Sequence, residues 1–140
     1  MSLKKEVKAK KTTASLRILV AEDNIINQKI AQLNLEKLGH KVWIANNGLE
    51  AVALFKKESF HLILMDIQMP EMGGIEAAEL IREYERENQS LREIPIVALT
   101  ANALKTDKDK YMAVGMNDYL SKPFKQQDLI RILNHLLILK

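Results

Sequence analysis

Short apolar runs rich in β-branched residues alternate along the chain with longer segments whose apolar residues recur at helical spacing. The first run, residues 18–20, is continuous rather than alternating in hydrophobicity, which predicts a strand that is buried on both faces, and the third run, residues 62–65, is equally apolar. The predicted strands are residues 18–20, 42–45, 62–65, 96–99 and a weaker run around 119–120. Strands that alternate with helices in this way are typical of repeated βα units around a parallel sheet.

Five helices are predicted between and after these strands. Asn24 can cap the first helix and Gly39 can end it, and between them an apolar repeat indicates an amphipathic helix. That repeat consists of Ile26, Ile30, Leu33 and Leu38. The predicted inward faces of the next two helices are Leu49, Val52, Ala53 and Phe55, and Ile75, Ala78, Leu80 and Ile81. We interpret residues 82–92 as a solvated helix end and loop, residues 107–114 as a weaker helix, and residues from about 126 to the chain end as the last helix.

These elements predict an α/β domain, doubly wound, with a five-stranded parallel sheet, helices on both faces and right-handed crossovers. In such sheets the ligand site lies beyond the carboxyl ends of the strands. The length of 140 residues suits one domain.

The net charge of +3 is concentrated at the start of the chain, where five lysines face one glutamate before Leu16. This leaves −1 for residues 16–140, so the charge of the predicted domain does not favour nucleic acid. We therefore divide the chain into a flexible basic leader or linker, residues 1–15, and one domain, residues 16–140. Cysteine is absent, which excludes disulfides and thiolate metal sites. No apolar run is long enough to span a bilayer, so we expect no membrane contact by this domain and a cytoplasmic location.

Polar side chains follow four of the predicted strands. Glu22 and Asp23 follow the first, Asp66 the third, Thr100 the fourth, and Lys122 comes after the fifth. Clustered carboxylates raise one another's pKa unless a cation neutralises them, and Lys122 supplies only one positive charge. An all-oxygen set of ligands suits Mg²⁺, for which Mn²⁺ should substitute.

Asp66 is the best candidate for a nucleophile towards a phosphoryl group, because it ends the most apolar strand and precedes a turn rich in Pro and Gly. Taken singly, an Asp after a strand is more often a cap or turn residue, and a lone Thr or Lys is usually satisfied locally or exposed. The joint pattern at several strand ends favours the functional interpretation.

Four segments resemble the receiver domains of two-component response regulators, in order and at the family's spacing between Leu16 and Lys140. They are Val20-Ala21-Glu22-Asp23-Asn24, Met65-Asp66-Ile67-Gln68-Met69-Pro70, Ala98-Leu99-Thr100-Ala101 and Tyr119-Leu120-Ser121-Lys122-Pro123-Phe124. The resemblance implies a flavodoxin-like fold with strand order 2-1-3-4-5.

The resemblance also implies the chemistry of the site. Asp66 would take a phosphoryl group from a phosphohistidine on a histidine kinase or histidine phosphotransfer domain. Asp23 and Asp66 would bind Mg²⁺ directly, together with the backbone carbonyl of Gln68, and Glu22 would act through water. Lys122 would pair with the phosphoryl oxygens, and the peptide bond before Pro123 would be cis.

A conformational switch is implied as well. Thr100 would move towards the phosphate and Tyr119 would follow it inward, which shifts the face made by helix four, strand five and helix five. Within the family, the residues two positions after the phosphorylated Asp and after the Thr tune the lifetime of the acyl phosphate. Here they are Gln68 and Asn102, two neutral amides, which predicts slow self-dephosphorylation.

The first acidic motif, with Asn27 and the Glu36-Lys37-Leu38-Gly39 segment, resembles receivers at the C-termini of hybrid sensor histidine kinases. A stand-alone single-domain regulator is the alternative, and in a hybrid parent the domain could be tethered to a membrane kinase. We interpret Ile25 as an exposed apolar residue that docks on the phosphohistidine-bearing partner, with ordinary surface scatter as the alternative. The wide apolar arc of the last helix suggests a homodimer or an intramolecular docking surface.

Rival functions lack residues that they need. An aspartyl-phosphate phosphohydrolase needs a second Asp where Gln68 stands, and a flavin site needs a phosphate loop where Glu22 and Asp23 stand. A P-loop motif is absent. An interaction module independent of phosphorylation would not need the intact acidic, Thr and Lys positions.

Overall fold

The computed structural model describes residues 15–101 and 105–136, and within them five strands alternate strictly with five helices. The strands are β1 (Arg17–Ala21), β2 (Lys41–Ala45), β3 (Leu62–Asp66), β4 (Ile96–Thr100) and β5 (Asp118–Ser121). The helices are α1 (Ile25–Lys37), α2 (Gly48–Lys57), α3 (Gly74–Glu87), α4 (Lys105–Ala113) and α5 (Gln126–Leu136). Except for Ser15, the predicted leader lies outside the described residues, and so do residues 137–140 of the last predicted helix.

All strand pairs are parallel, in the order β2-β1-β3-β4-β5, which confirms the predicted fold. The three central strands are the most buried part of the sheet, and every residue of β3 and β4 is buried. Asp66 and Thr100 were expected just after their strands, but they are the last residues of β3 and β4. Their backbones are therefore held by the sheet itself.

The core has two layers because alternate residues of each buried strand point to opposite faces. Ile18 and Val20 of β1 pack with α1 and α5, and Leu19 and Ala21 pack on the other side, with α2, α3 and α4. Within residues 15–101 and 105–136, no helix has the length and apolar character that crossing a membrane requires.

The apolar repeat correctly predicts helix α1, but most residues of that repeat do not face the core. Ala31 and Leu35 are buried, whereas Ile26, Ile30 and Leu33 are 68%, 37% and 56% exposed. The face of α1 that packs on the sheet is therefore the one that carries Ala31 and Leu35. The larger apolar side chains consequently form an exposed surface.

The predicted inward face of α2 is partly wrong. Val52 is buried and Phe55 half-buried as expected, but Leu49 is 48% exposed and Ala53 is also exposed. Ala51 takes the buried position instead. Leu49 and Ala53 are apolar, but apolar character alone does not decide which side of α2 faces the core.

The charged end of α3 was expected to be solvated, and this is wrong for Arg82 and Glu85, which are both buried. The Arg82 Nη1 atom donates to Glu85 Oε1 at 2.8 Å. Arg82 also donates to the carbonyl of Gly115 and to the side chain of Asn117, and Glu85 accepts from the backbone N–H of Ile94. These bonds tie α3 to the segments that precede β4 and β5.

We expect Arg82→Met to lower the free energy of unfolding by about 3 to 5 kcal/mol, because it leaves the Glu85 carboxylate buried without its charged partner. Arg86→Met, at an exposed position of the same helix, is the matched control and should have little effect. Urea unfolding of the two variants measures the difference. Equal destabilisation by both variants would contradict a structural role for the buried pair.

Candidate functional site

The ammonium group of Lys122 lies between two buried carboxylates at the carboxyl edge of the sheet. Its Nζ atom is 3.0 Å from Oδ2 of Asp66 and 3.2 Å from Oε1 of Glu22. Glu22 and Asp66 are only 1% and 3% exposed, so water screens these charges weakly. The structure thus brings together residues from the ends of three strands, as the sequence predicts.

Asp23 completes a group of three carboxylates. Glu22, Asp23 and Asp66 each offer one oxygen, and these atoms all lie within 4.8 Å of one another. Asp23 is exposed, so water can supply the remaining ligands of a cation. With one lysine against three carboxylates, the cluster keeps an excess of negative charge, and its oxygen donors fit Mg²⁺.

The surroundings of Asp66 disfavour its charged form. Burial, and to a smaller extent the charge of Glu22, raise the pKa of Asp66 to about 6, although the hydrogen bond from Lys122 opposes the shift. Burial acts to lower the pKa of Lys122, but the hydrogen bond from its ammonium group to Asp66 and the charges of both carboxylates outweigh it and raise that pKa. The ammonium group therefore stays protonated.

The loop after β1 is shaped by Asn24, which confirms its predicted role as a cap. Its side chain accepts from the backbone N–H of Asn27 at 3.0 Å and starts α1. Its own backbone N–H donates to Oε2 of Glu22 at 3.1 Å. The two carboxylate oxygens of Glu22 thus have separate partners, since the other one accepts from Lys122.

The loop after Asp66 approaches the acidic residue so closely that only glycine fits. A Cβ atom on Gly74 would lie 2.2 Å from the backbone oxygen of Asp66. Gly74 also donates its N–H to the carbonyl of Ile67, and the N–H of Gln68 donates to Oδ1 of Asp66 at 3.2 Å. The pair of glycines expected to form a tight turn therefore lets α3 begin directly against the acidic residue.

The segment after β5 places Lys122 by way of β4. The N–H of Lys122 donates to the carbonyl of Thr100 at 2.8 Å, and the peptide bond between Lys122 and Pro123 is cis, as expected. Thr100 is 9% exposed at the end of β4. Tyr119, one of the predicted switch residues, is half-buried, and its ring centroid lies 6.5 Å from that of Tyr111 on α4.

Ile25 and Asn102 are the remaining predicted site residues. Ile25 begins α1 and is 62% exposed, which agrees with its predicted exposure. Asn102, expected to tune the phosphoryl lifetime, lies outside the described residues.

Sequence reasoning missed the contacts that join the loops. Gln28 and Asn46 form hydrogen bonds beside the acidic loop, and the N–H of Gly48 donates to the carbonyl of Met72 at 2.9 Å. Of these, only the Asn46-Asn47-Gly48 turn signal could have drawn attention to the region.

A cavity of about 920 Å³ lies at the opposite edge of the sheet. His40, His61 and Pro95, which line it, come directly before β2, β3 and β4. The lining includes none of the three clustered carboxylates or Lys122, so this cavity is separate from the acidic site.

We expect Mg²⁺ binding to weaken as the pH falls through about 6, because a proton then competes for Asp66. At a pH one unit below the pKa of Asp66, roughly a tenth of the molecules carry an ionised Asp66, so the apparent affinity for Mg²⁺ should fall by about tenfold. Calorimetric titration with Mg²⁺ at pH 5 and pH 8 tests this. An affinity that is the same at both pH values would contradict the raised pKa of Asp66. In Asp66→Asn, the part of the pH dependence that comes from Asp66 should be absent.

Similar proteins share this arrangement of elements. The hybrid signal transduction histidine kinase B of Dictyostelium discoideum is 44% identical over an alignment of 139 positions, which covers 90% of this chain and 7% of that protein. The receiver domain of Ssk1 from Saccharomyces cerevisiae, solved with the histidine phosphotransfer protein Ypd1, matches with a TM-score of 0.81 and 40% identity, covering 86% of this chain and 87% of that one.

The receiver domain of sensor histidine kinase PA1611 from Pseudomonas aeruginosa, solved with a magnesium ion in its active-site cleft, has a TM-score of 0.76 and 40% identity. The match covers 87% of this chain and 97% of that one. The chain spans between 4% and 25% of the length of eight curated relatives. The family described as the response regulator receiver domain matches residues 18–134. The chain therefore belongs to the receiver domains of two-component signalling.

Proposed function

We propose that this receiver domain accepts a phosphoryl group on Asp66 from a phosphohistidine of a partner protein. The observation that carries the proposal is the placement of the Lys122 ammonium group 3.0 Å from Asp66, within a cluster of three carboxylates. One carboxylate oxygen can attack phosphorus while lysine balances the charge of the transferred group.

The transfer exchanges one bond for another. An oxygen of Asp66 forms a bond to phosphorus as the P–N bond to histidine breaks, and the imidazole keeps the electron pair and takes up a proton. Lys122, which pairs with Asp66 in the unphosphorylated protein, then pairs with the phosphoryl oxygens. Self-phosphotransfer and self-dephosphorylation are the only chemistry that we propose for the domain.

We assign the cation site to Asp23, Asp66 and the backbone carbonyl of Gln68, with Glu22 acting through water. Mg²⁺ bound there would stabilise negative charge on the phosphoryl oxygens, and Mn²⁺ should replace it. The clustered carboxylates support the assignment. The magnesium ion in the cleft of the PA1611 receiver domain also supports it.

Phosphorylation would act through Thr100 and Tyr119 on the face made by α4, β5 and α5. The two residues lie on neighbouring strands, where Ala98 pairs with Tyr119 and Thr100 pairs with Ser121. Tyr119 is half-buried, so a change in its burial can alter this face. A population shift between two packings of the face would then be the signal.

The parent protein that we propose is a hybrid sensor histidine kinase, with a stand-alone regulator as the alternative. The similarity to hybrid kinases from Dictyostelium discoideum supports the first, because the chain matches only a small part of each. A homodimer through α5 also stays a proposal. Leu129, Ile132 and Leu133 are buried within the domain, and residues 137–139 of the apolar arc lie outside the described residues.

The surface for the phosphohistidine partner is proposed to be the exposed apolar part of α1. Ile25, Ile26 and Leu33 are each more than half exposed, and the helix begins directly after the acidic loop. A helical partner that covers this surface could bring its histidine to Asp66. The complex of Ypd1 with the Ssk1 receiver, which is 40% identical to this chain, supports a partner of this class.

We expect acetyl phosphate with Mg²⁺ to add one phosphoryl group to the wild-type protein and none to Asp66→Asn, because the amide cannot serve as acceptor. Intact-protein mass spectrometry measures the gain. Asp109→Asn, which changes an exposed carboxylate on α4, is the matched control and should react like wild type. Chelation of the metal should prevent the reaction. An unreactive wild-type protein, or an equally reactive Asp66→Asn variant, would refute the proposal.

Ile25→Asp should slow phosphotransfer from phosphorylated Ypd1 by about tenfold or more, because a charge would replace an apolar contact in the complex. Its reaction with acetyl phosphate should be unchanged. Leu91→Asp, at a fully exposed apolar residue after α3, controls for a general effect of added charge. Rapid-quench assays of both variants compare the rates, and the docking role fails if Ile25→Asp accepts phosphate from Ypd1 as fast as wild type does.

A further inference from the structure

The side-chain amide of Gln28 joins the acidic loop to a neighbouring loop. Its Nε2 atom donates to the backbone oxygen of Glu22 at 2.6 Å and to Oδ1 of Asn46 at 2.8 Å. Both N–H bonds of the amide are therefore used, and both are directed at loops on the carboxyl edge of the sheet. Gln28 lies in the first turn of α1, and this helix begins directly after the acidic loop.

Asn46 is itself held in place, so it is a fixed acceptor for this amide. Its backbone N–H and its side-chain Nδ2 atom both donate to Oε1 of Glu50, at 2.8 Å and 3.0 Å. Glu50 lies in the first turn of α2, which begins at Gly48. The N–H of Gly48 in turn donates to the carbonyl of Met72, in the loop that follows Asp66.

The backbone of Glu22 is thus held on both sides. Its N–H donates to the carbonyl of Ala45 at 3.0 Å, and its carbonyl accepts from Gln28. Without the bond from Gln28, the carbonyl of Glu22 would lose this partner, and the peptide that leads into Asp23 could rotate. Repulsion among the three clustered carboxylates favours loop conformations in which Asp23 lies further from Asp66.

We propose that Gln28 is a positioning residue that holds the acidic loop in the arrangement that binds a divalent cation. It does not touch the cation or the phosphoryl group. It acts through the backbone of Glu22, which sets where the carboxylates of Glu22 and Asp23 lie relative to Asp66. This inference rests on the proposed function, since it assigns a role toward the cation of that same site.

Gln28→Met tests the role, because methionine is close to glutamine in size and keeps the helix but donates no hydrogen bonds. Gln32→Met is the matched control. Gln32 lies one turn later in the same helix, and its amide donates to Glu36 at an exposed position. Any loss that comes from the helix alone should appear in both variants.

The first measurement is Mn²⁺ binding by the unphosphorylated protein, followed by electron paramagnetic resonance. We expect Gln28→Met to bind Mn²⁺ about tenfold more weakly than wild type, as is usual when a group that orients metal ligands is lost. Gln32→Met should bind like wild type. In metal-free buffer, the amide hydrogens of Asp23 and Asn24 should exchange faster in Gln28→Met only, because the loop opens more often.

A positioning role and a catalytic role are distinguished by two quantities, the Mg²⁺ concentration for half-maximal reaction and the rate at saturating Mg²⁺. In Gln28→Met, the Mg²⁺ concentration for half-maximal reaction with acetyl phosphate should rise, while the rate at saturating Mg²⁺ should stay close to that of wild type. The inference is overturned if Gln28→Met binds Mn²⁺ as tightly as wild type, or if Gln32→Met shows the same losses. Failure of the wild-type protein itself to bind Mn²⁺ would instead refute the proposed function.

Discussion

The balance between one partly buried ammonium group and three clustered carboxylates is the constraint on which the acidic site depends. Lys122 contacts both Glu22 and Asp66, each almost fully buried, and without it two carboxylates would face each other in a poorly screened environment. A single lysine does not neutralise the cluster, since Asp23 adds a third negative charge. The remaining charge favours a cation, and burial, with a smaller contribution from the charge of Glu22, raises the pKa of Asp66.

The sheet makes this arrangement possible because it fixes the residues that face one another. The parallel order places the ends of β1, β3 and β4 side by side, and β3 and β4 are buried along their whole length. Asp66 belongs to the last hydrogen-bonded register of β3, opposite Leu99. Asp66 therefore lies on a rigid element, whereas Glu22 and Asp23 lie in the loop that follows β1.

A second buried charge pair shows what a purely structural arrangement looks like. Arg82 and Glu85 bind each other, and their other bonds go to neighbouring backbone and side-chain groups of the described chain. The side chain of Lys122 is 18% exposed. Among the bonds of the described residues, its ammonium group contacts only carboxylates. The difference is physical: Arg82 and Glu85 are enclosed by the fold, whereas Lys122 is partly exposed beside its carboxylates.

Much of the fold and of the site followed from the sequence alone. Continuous apolar runs identified the strands, and Asn24 and Gly39 marked the two ends of α1 where the structure has them. Because parallel strands present their carboxyl ends at one edge, the convergence of Glu22, Asp66 and Lys122 could be predicted without a structure. These are local patterns combined with one rule of topology.

Only the tertiary structure decided which faces pack and which polar groups meet. The rotation of α1 buries Ala31 and Leu35 instead of the larger apolar repeat, and the buried Arg82 is bonded to Gly115, which is far away in the sequence. The bonds from Gln28 to Glu22 and to Asn46 likewise join two loops whose distance no periodicity encodes. The sequence by itself thus determined the order of the elements and the chemistry at the strand ends, because both depend on neighbouring residues. The packing of the helices and the links between loops depend on contacts between distant residues, which exist only once the chain has folded.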